Sequence, residues 1–246
     1  MQKQLIEILK SLKEFIAKKF HKYDAKLPYI ITTIITLIAV AGGIRIFIEL
    51  TENLKSKFLG KLDSAISEAF IKIRTPLLTD YFVFVTNVGD IWGYLVVFII
   101  CTILFYVLLK SWKYVGQIVL VMILSMGSNL LLKSSINRAR PSEEHLVTVQ
   151  TLSFPSGHAT MAMAFYGFLI YLVFRLSMNR FVKFGLISLM AILIISIGLS
   201  RIYLGVHYPS DIVGGFIAGF IWVIFCIMIF NLIKIFKRDP SVSKES

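Results

Sequence analysis

Three short polar clusters interrupt an otherwise apolar chain, and their residue types suit the chemistry of phosphate. The first cluster holds Lys133 and Arg140, with Pro141 directly after the arginine. An arginine fork matches phosphate oxygens, and a lysine adds a point charge. The cluster therefore predicts an anion site. A lysine that reaches the membrane boundary, followed by a loop arginine, would show the same pattern.

The second cluster is a Pro-Ser-Gly-His run that ends at His158. A helix that starts here leaves backbone N–H groups unpaired, and its dipole favours an anion. Gly157 allows a bulky group to approach the backbone closely. The pattern thus predicts a second phosphate-binding element, with His158 at its rim. The alternative is that Ser156 is only an N-cap and His158 only an amphipathic boundary residue.

The third cluster contains Arg201, His207 and Asp211. Pro209 suits the first turn of a helix, which places Asp211 in that turn, four residues after His207. A carboxylate that holds one imidazole nitrogen leaves the other free to act as a nucleophile or base. The alternative is a helix-start aspartate beside an interfacial histidine.

These clusters lie in a chain that is unusually apolar and yet basic. Of its 246 residues, 57% are hydrophobic and 16% are charged, with a net charge of +12 and a mean hydropathy of +0.79. Soluble domains contain about 25% charged residues, so a soluble enzyme is disfavoured. Runs of about 20 apolar residues cross a bilayer as helices. Six such runs predict six transmembrane helices: Pro28–Ile48, Trp92–Leu109, Tyr114–Leu132, His158–Phe174, Phe184–Leu204 and Ile212–Phe236.

The basic residues predict how the chain is oriented. Sixteen of the 26 Lys and Arg residues lie in the N-terminal segment, the connections after the second and fourth spans, and the C-terminal tail. Positive charge favours the cytoplasmic side, so both termini are expected there and the three polar clusters fall on the outer side. Because the charge marks topology and not a polar binding surface, no nucleic-acid partner is predicted.

The predicted fold is all-α, with one membrane domain between two cytoplasmic ends. Residues 1–27 form a basic amphipathic segment, residues 28–236 the six-span domain and residues 237–246 the tail. Within the domain, residues 114–236 form the catalytic core. Residues 51–90 form an outer helical segment, which is expected to lie against the membrane surface through an apolar stripe. The stripe consists of Leu62, Ile66, Phe70 and Ile73.

Two features near the N-terminus have alternative interpretations. The amphipathic segment either lies on the anionic inner leaflet or is a solvated helix that only enforces topology. The small residues Ala39-Val40-Ala41 resemble a signal-peptide cleavage site. The long polar segment before the first apolar run argues against cleavage, as does the continuation of that run beyond Ala41.

Together the clusters resemble the three-part signature of the type 2 phosphatidic acid phosphatase family, Lys-x6-Arg-Pro, Pro-Ser-Gly-His and Ser-Arg-x5-His-x3-Asp. In this chain the parts are Lys133 to Arg140-Pro141, Pro155 to His158, and Ser200-Arg201 to His207 and Asp211. No signature position departs from the pattern. The resemblance covers the third to the sixth span. Three matches in order are specific, whereas one alone would be weak.

The resemblance implies a six-helix membrane fold and metal-independent hydrolysis of lipid phosphates, without a cofactor. It implies that His207 is the nucleophile that forms a phosphohistidine, that Asp211 orients it, and that His158 protonates the leaving oxygen and later activates water. The phosphate-binding positions carried over are Lys133, Arg140, Ser156, Gly157 and Arg201. Arg138 lies between signature positions, and a contact with a second phosphate or a headgroup is a hypothesis for it.

The predicted function is hydrolysis of a terminal lipid phosphate at the outer leaflet of a bacterial cytoplasmic membrane. Undecaprenyl diphosphate and phosphatidylglycerol phosphate are the substrates that fit, with the tail held in an apolar groove between spans. Two alternatives are an anion or lipid transporter and a non-catalytic lipid-binding member of the fold. The charged residues lie at one surface and not at mid-depth, which argues against a transporter, and intact His158, His207 and Asp211 argue against a non-catalytic protein. The oligomeric state is left open.

Overall fold

The computed structural model describes residues 27–142, 145–149 and 151–236, and this part of the chain contains eight α-helices and no strand. The helices are α1 (Leu27–Asn53), α2 (Lys57–Lys72), α3 (Pro76–Val88), α4 (Ile91–Leu109), α5 (Lys113–Ile136), α6 (Gly157–Arg175), α7 (Arg180–Tyr203) and α8 (Pro209–Phe236). The predicted amphipathic segment before α1 and the tail after α8 lie outside the described residues.

The predicted all-α, multi-span membrane fold is confirmed. Five helices, α1, α5, α6, α7 and α8, are long and apolar enough to cross a membrane. The remaining predicted span corresponds to α4, which meets the same criterion together with α3, and these two helices are bent by 60° where they meet. The bend falls at Gly89 and Asp90, at the end of the predicted outer segment and just before the second predicted span. The side of the membrane that each terminus faces stays a prediction.

The chain divides into two compact units. Among the described residues, one unit contains residues 27–40 and 224–236, which are the start of α1 and the end of α8. The other unit contains Ala41–Val223. All residues of the three polar clusters belong to this second unit, so the geometry of the site is a property of that unit alone.

Four consecutive helices bring the polar clusters together. Lys133 lies in the last turn of α5, and Arg201 lies in the last turn of α7. Ser156 is the N-cap of α6, and α8 begins at Pro209 with Asp211 in its first turn, as the sequence predicts. Because the clusters occupy the ends of α5 and α7 and the starts of α6 and α8, an up-and-down arrangement gathers them at one end of the bundle.

The starts of α6 and α8 touch through their backbones. A Cβ atom on Gly215 would lie 2.7 Å from the carbonyl oxygen of Ser156, and one on Gly219 would lie 2.5 Å from that of Thr160. Small residues at this spacing allow two helices in a membrane to approach closely. The backbone N–H of Ser156 donates to the carbonyl oxygen of Asp211 at 3.0 Å, so the second and third clusters are in direct contact.

The outer helix α2 turns a polar face toward the protein. Asp63 and Ser67 are buried, and Phe70 packs against a core cluster that includes Tyr203 and Val206. Two other members of the predicted apolar stripe, Leu62 and Ile73, are exposed. The stripe therefore does not form one continuous membrane-facing surface, because Phe70 covers the loop that carries the third cluster.

The connection between α2 and α3 is anchored to the same loop. Arg74 donates through Nε and Nη2 to the carbonyl oxygen of Tyr203, at 3.1 and 2.9 Å. The Tyr203 hydroxyl lies 3.0 Å from Oγ1 of Thr79 and accepts the backbone N–H of Thr75 at 3.1 Å. The outer segment is thus bonded to the end of α7, just before His207.

Candidate active site

His207 and Asp211 form the pair that their spacing predicts. Nδ1 of His207 lies 3.3 Å from Oδ2 of Asp211, and both side chains are buried. The same carboxylate oxygen accepts hydrogen bonds from the backbone N–H of Tyr208 at 2.8 Å and from the hydroxyl of Ser153. With Nδ1 held by the carboxylate, the lone pair of the imidazole is left on Nε2, which lies 3.2 Å from Nη1 of Arg140. This is the tautomer that a nucleophilic histidine requires.

The charge state of His207 follows from its burial. Removal from water lowers the pKa of His207 to about 3, an effect that Asp211 opposes and that Arg140 and Arg201 reinforce. A buried imidazole loses the hydration that stabilises its charged form. His207 is therefore neutral at neutral pH, and its Nε2 is available to attack an electrophile.

This lowered pKa predicts how stability depends on pH. Below about pH 6.5 the unfolded chain binds a proton at His207 that the folded protein, with a pKa of about 3, does not bind. The unfolded state then binds more protons, so the free energy of unfolding falls as the pH is lowered, by up to about 1.4 kcal/mol per pH unit. The measurement is the free energy of unfolding in detergent of the wild-type protein and of His207→Gln, determined between neutral pH and pH 4. A difference between the two proteins that does not change with pH would contradict the prediction.

Three cations line the same cavity as the His207 ring. Arg140 is held by backbone carbonyls, through Nε to Thr151 and Nη1 to Val206, both at 2.6 Å. Nζ of Lys133 donates to the carbonyl oxygen of Leu152 and, at 3.4 Å, to the hydroxyl of Thr151. These neutral partners fix the positions of both side chains without cancelling their charges.

Arg201 completes the cationic cluster. It is buried, its Nη1 donates to Oγ1 of Thr86 at 2.6 Å, and its Nε has no hydrogen-bond partner in the described structure. Burial lowers the pKa of Arg140 from its usual value, while Asp211 acts in the opposite direction. Among the described residues, no carboxylate forms an ion pair with any of the three cations. Buried cations without a counter-charge are costly, so the cluster is suited to an anionic ligand.

His158 lies beside an acidic residue that sequence reasoning did not select. Its Nε2 is 2.9 Å from Oδ1 of Asp90, at the bend between α3 and α4. The carboxylate is about half exposed, whereas the imidazole is mostly buried. Asp90 is the last residue of the predicted outer segment, and nothing in the spacing connects it with a histidine 68 positions later. The pair gives the site a second imidazole beside a carboxylate.

Ser156 and Gly157 occupy the start of α6. The Ser156 hydroxyl is buried and accepts the backbone N–H of Ala159 at 3.5 Å, so it acts as the N-cap that the sequence offers as an alternative. Gly157 lines the cavity described next. The N–H groups of Gly157 and His158 make no hydrogen bond within the described residues, which leaves two donors at the positive end of the helix dipole.

A cavity of about 770 Å³ joins the polar cluster to an apolar groove. Its polar end contains the two histidines and the three cations. Its apolar end runs between α4 and α5, where it is lined by Leu95, Phe98, Val119, Met122, Ile123 and Met126. Val119 lies fourteen residues before Lys133 on α5, which is about 21 Å along a helix. The cavity therefore combines a site for a small anion with a long apolar channel.

The hypothesis that Arg138 contacts a second phosphate or a headgroup does not agree with its position in the structure. Its Nη1 lies 2.7 Å from Oδ1 of Asp211, and its Nη2 lies 2.8 Å from Oδ2 of Asp63. The guanidinium also lies against the ring of Tyr208, 4.4 Å from its centroid. Both ends of the fork are thus occupied by carboxylates, and Arg138 does not line the cavity. Ser153, which contacts Asp211, and Asp63, which contacts Arg138, are polar residues that the three motifs do not contain.

The described residues contain no group of three or more His, Cys, Asp or Glu side chains that could hold a metal ion. Asp90, Asp63 and Asp211 are each engaged by a histidine or an arginine. The metal-independent reaction stays a prediction, to be tested by activity in chelator.

Fold and site together define a class of protein. Helices long enough to cross a bilayer carry a cationic, histidine-containing cavity that continues into an apolar channel, which is the arrangement of a membrane-embedded phosphatase for lipid phosphates.

Comparisons with known proteins identify the family. The PAP2 superfamily matches residues 114–234. Phosphatidylglycerophosphatase B of Bacillus subtilis strain 168 is 30% identical over 200 residues, which cover 78% of this chain and 91% of that protein. Decaprenylphosphoryl-5-phosphoribose phosphatase of Mycobacterium tuberculosis strain H37Rv is 40% identical over 94 residues, which cover 37% and 46% of the two chains.

Solved structures agree with this result. The crystal structure of a transmembrane PAP2-type phosphatidylglycerolphosphate phosphatase from Bacillus subtilis superposes with a TM-score of 0.73 at 28% identity, over 79% of this chain and 96% of that one. Aquifex aeolicus LpxE has the same fold, with a TM-score of 0.55 at 23% identity, over 68% and 94% of the chains. The chain belongs to the PAP2 superfamily, as its three motifs predict. It is a multi-span membrane enzyme, a hydrolase that acts on lipid phosphate esters.

Proposed function

We propose that His207 is the nucleophile of a two-step phosphatase reaction. The observation that carries the proposal is that Nε2 of a neutral, carboxylate-held His207 lies 3.2 Å from Arg140, inside the cavity that also contains His158. In the first step Nε2 bonds to phosphorus while the bond from phosphorus to the lipid oxygen breaks, and His158 gives its proton to that oxygen. In the second step His158 takes a proton from water, the water oxygen bonds to phosphorus, and inorganic phosphate leaves His207.

Three cations and two backbone donors bind the phosphoryl oxygens in this proposal. Lys133, Arg140 and Arg201 supply positive charge where negative charge accumulates in the transition state. The unpaired N–H groups at the start of α6 add neutral donors, and Gly157 leaves room for the phosphate against the backbone. Ser156 contributes by capping α6, because its hydroxyl is directed to Ala159.

The channel between α4 and α5 is the proposed site of the lipid tail. Its length along α5, about 21 Å, is a large part of the roughly 30 Å hydrocarbon core of a bilayer. A lipid could therefore keep its tail at membrane depth while its phosphate reaches His207. We propose phosphatidylglycerol phosphate or undecaprenyl diphosphate as substrate, at the outer leaflet of a bacterial cytoplasmic membrane. The name of the Bacillus subtilis relative supports phosphatidylglycerol phosphate. The basic segments predicted to be cytoplasmic support a site that faces outward.

A phosphate-release panel tests the proposed function. Purified protein in detergent is given phosphatidylglycerol phosphate, undecaprenyl diphosphate or phosphatidate, each with EDTA or with magnesium. We expect release of phosphate from at least one of the first two lipids at the same rate in both conditions. A strict requirement for magnesium would contradict the metal-free mechanism, and phosphatidate as the best substrate would contradict the proposed substrates.

Filling the channel should affect long-tailed substrates selectively. Met126 lines the channel, and about half of its surface is exposed. If Met126→Trp displaces two methylene groups of the tail, the loss is about 1.6 kcal/mol, which corresponds to roughly a tenfold rise in KM. Comparing long-tailed phosphatidylglycerol phosphate with its dibutanoyl analogue measures the effect, which should be absent for the short substrate.

Leu131→Trp is the matched control for this channel. Leu131 lies on the same helix, is exposed and does not line the cavity. Leu131→Trp should leave KM unchanged for both the long-tailed and the short substrate. Equal effects of Met126→Trp on the long and short substrates would place the tail elsewhere.

A further inference from the structure

Asp63 is a buried carboxylate on the outer helix α2, outside the region that the superfamily matches. Only 1% of its surface is exposed, although neighbouring residues such as Lys61 and Glu68 face outward. Burial of a charge is expensive unless partners compensate it fully. The identity of those partners therefore indicates what the carboxylate does.

Within the described residues, the partners of Asp63 belong to the catalytic end of the bundle. Its Oδ1 accepts the backbone N–H of Ser210 at 2.9 Å, and its Oδ2 accepts the Ser210 hydroxyl at 2.6 Å. Its Oδ2 also lies 2.8 Å from Nη2 of Arg138. Ser210 directly precedes Asp211. Asp63 therefore binds the start of α8 through both the backbone N–H and the side chain of Ser210.

Arg138 connects Asp63 with the partner of the nucleophile. Its Nη1 donates to Oδ1 of Asp211 and to the Ser210 hydroxyl, each at 2.7 Å. The other oxygen of Asp211 faces Nδ1 of His207. Charges thus alternate along a largely buried set of side chains. Asp63 is negative, Arg138 positive and Asp211 negative, and the set ends at the His207 ring, which becomes positive when it is phosphorylated.

We infer that Asp63 is a positioning residue for the nucleophile, acting through Arg138 on Asp211. If Asp63 is neutral, the full charge of Arg138 is directed at Asp211, and the carboxylate stabilises positive charge on His207 less well. The loss is largest in the transition state, where that positive charge develops. The outer helix α2 is then part of the catalytic apparatus. The inference rests on the proposed role of His207.

The test compares Asp63→Asn with wild type in the full-length protein in detergent, with dioctanoyl phosphatidylglycerol phosphate as the probe. We expect kcat to fall by about 10- to 100-fold, the order of loss seen when the hydrogen-bond partner of a metal-bound histidine is removed, with KM little changed. Inhibition by orthovanadate, which mimics the five-coordinate transition state, should weaken. Inhibition by inorganic phosphate should not change. Asp63→Glu should restore part of kcat.

A double-mutant cycle with Arg138→Gln tests whether Asp63 acts through Arg138. If Asp63 acts through Arg138, Asp63→Asn has little further effect on kcat in the Arg138→Gln background. The double variant removes both charges together. Its kcat can be compared with that of Arg138→Gln even if Asp63→Asn alone does not fold. Multiplicative effects of the two substitutions would overturn the inference.

Glu68→Gln is the charge-matched control, since Glu68 is an exposed carboxylate on the same helix. It should keep the wild-type kcat and melting temperature. A kcat of Asp63→Asn equal to that of Glu68→Gln would overturn the inference, as would equal losses of vanadate and phosphate binding, which indicate a purely structural role. Failure of the proposed function is a different result: wild-type turnover would then persist in His207→Ala.

Discussion

Replacing His207 with alanine is expected to abolish turnover. If Nε2 of His207 forms the bond to phosphorus, its removal should lower kcat by about 10⁴-fold or more, as loss of a nucleophile does in other hydrolases. Phosphate release from the preferred lipid measures the loss. A second readout is labelled phosphate bound to the protein after a rapid quench. The label should be acid-labile and base-stable, as expected for phosphohistidine, and absent from His207→Ala.

His145→Ala is the matched control for this experiment. His145 is on the same connection as Arg140, and its Nε2 lies 2.9 Å from the carbonyl oxygen of Pro141, away from the cavity lining. It should keep wild-type turnover and labelling. Turnover in His207→Ala comparable to that of His145→Ala would show that another group attacks phosphorus and would overturn the proposed function.

Replacing His158 with asparagine should have the second-largest effect, and the effect should depend on the leaving group. A general acid contributes about 10²–10⁴-fold to the rate, so hydrolysis of a lipid phosphate should slow by that factor. para-Nitrophenolate leaves without protonation, so the first step with para-nitrophenyl phosphate should be nearly normal in His158→Asn. The second step still lacks its base. We therefore expect a burst of nitrophenolate followed by slow turnover, with labelled phosphate accumulating on His207.

Equal losses of rate with the lipid and with para-nitrophenyl phosphate, without a burst, would contradict the role of His158 as acid and base. Asp90→Asn offers an additional comparison, because the Asp90 carboxylate lies 2.9 Å from the His158 ring but is about half exposed. Its effect should be smaller than that of His158→Asn and should have the same dependence on the leaving group.

Much of the fold follows from hydropathy. Backbone polar groups cannot remain unpaired in hydrocarbon, so long apolar runs must be helices, and the predicted spans recur as helices with ends shifted by a few residues. The outer segment was harder to predict because amphipathicity alone does not say which surface a helix covers. Phe70 packs on the protein, and Leu62, from the same stripe, is exposed.

The sequence by itself determined the helices, the family and the set of polar residues that meet in the cavity, because a motif at a helix end depends mainly on local spacing. Only the tertiary structure decided which side chains support that set. Asp63 and Arg138 are 75 positions apart, and Asp90 and His158 are 68 apart. No periodicity relates such residues. Their contacts arise where separate helices end beside one another, and the cost of burying unpaired charge then selects the partners.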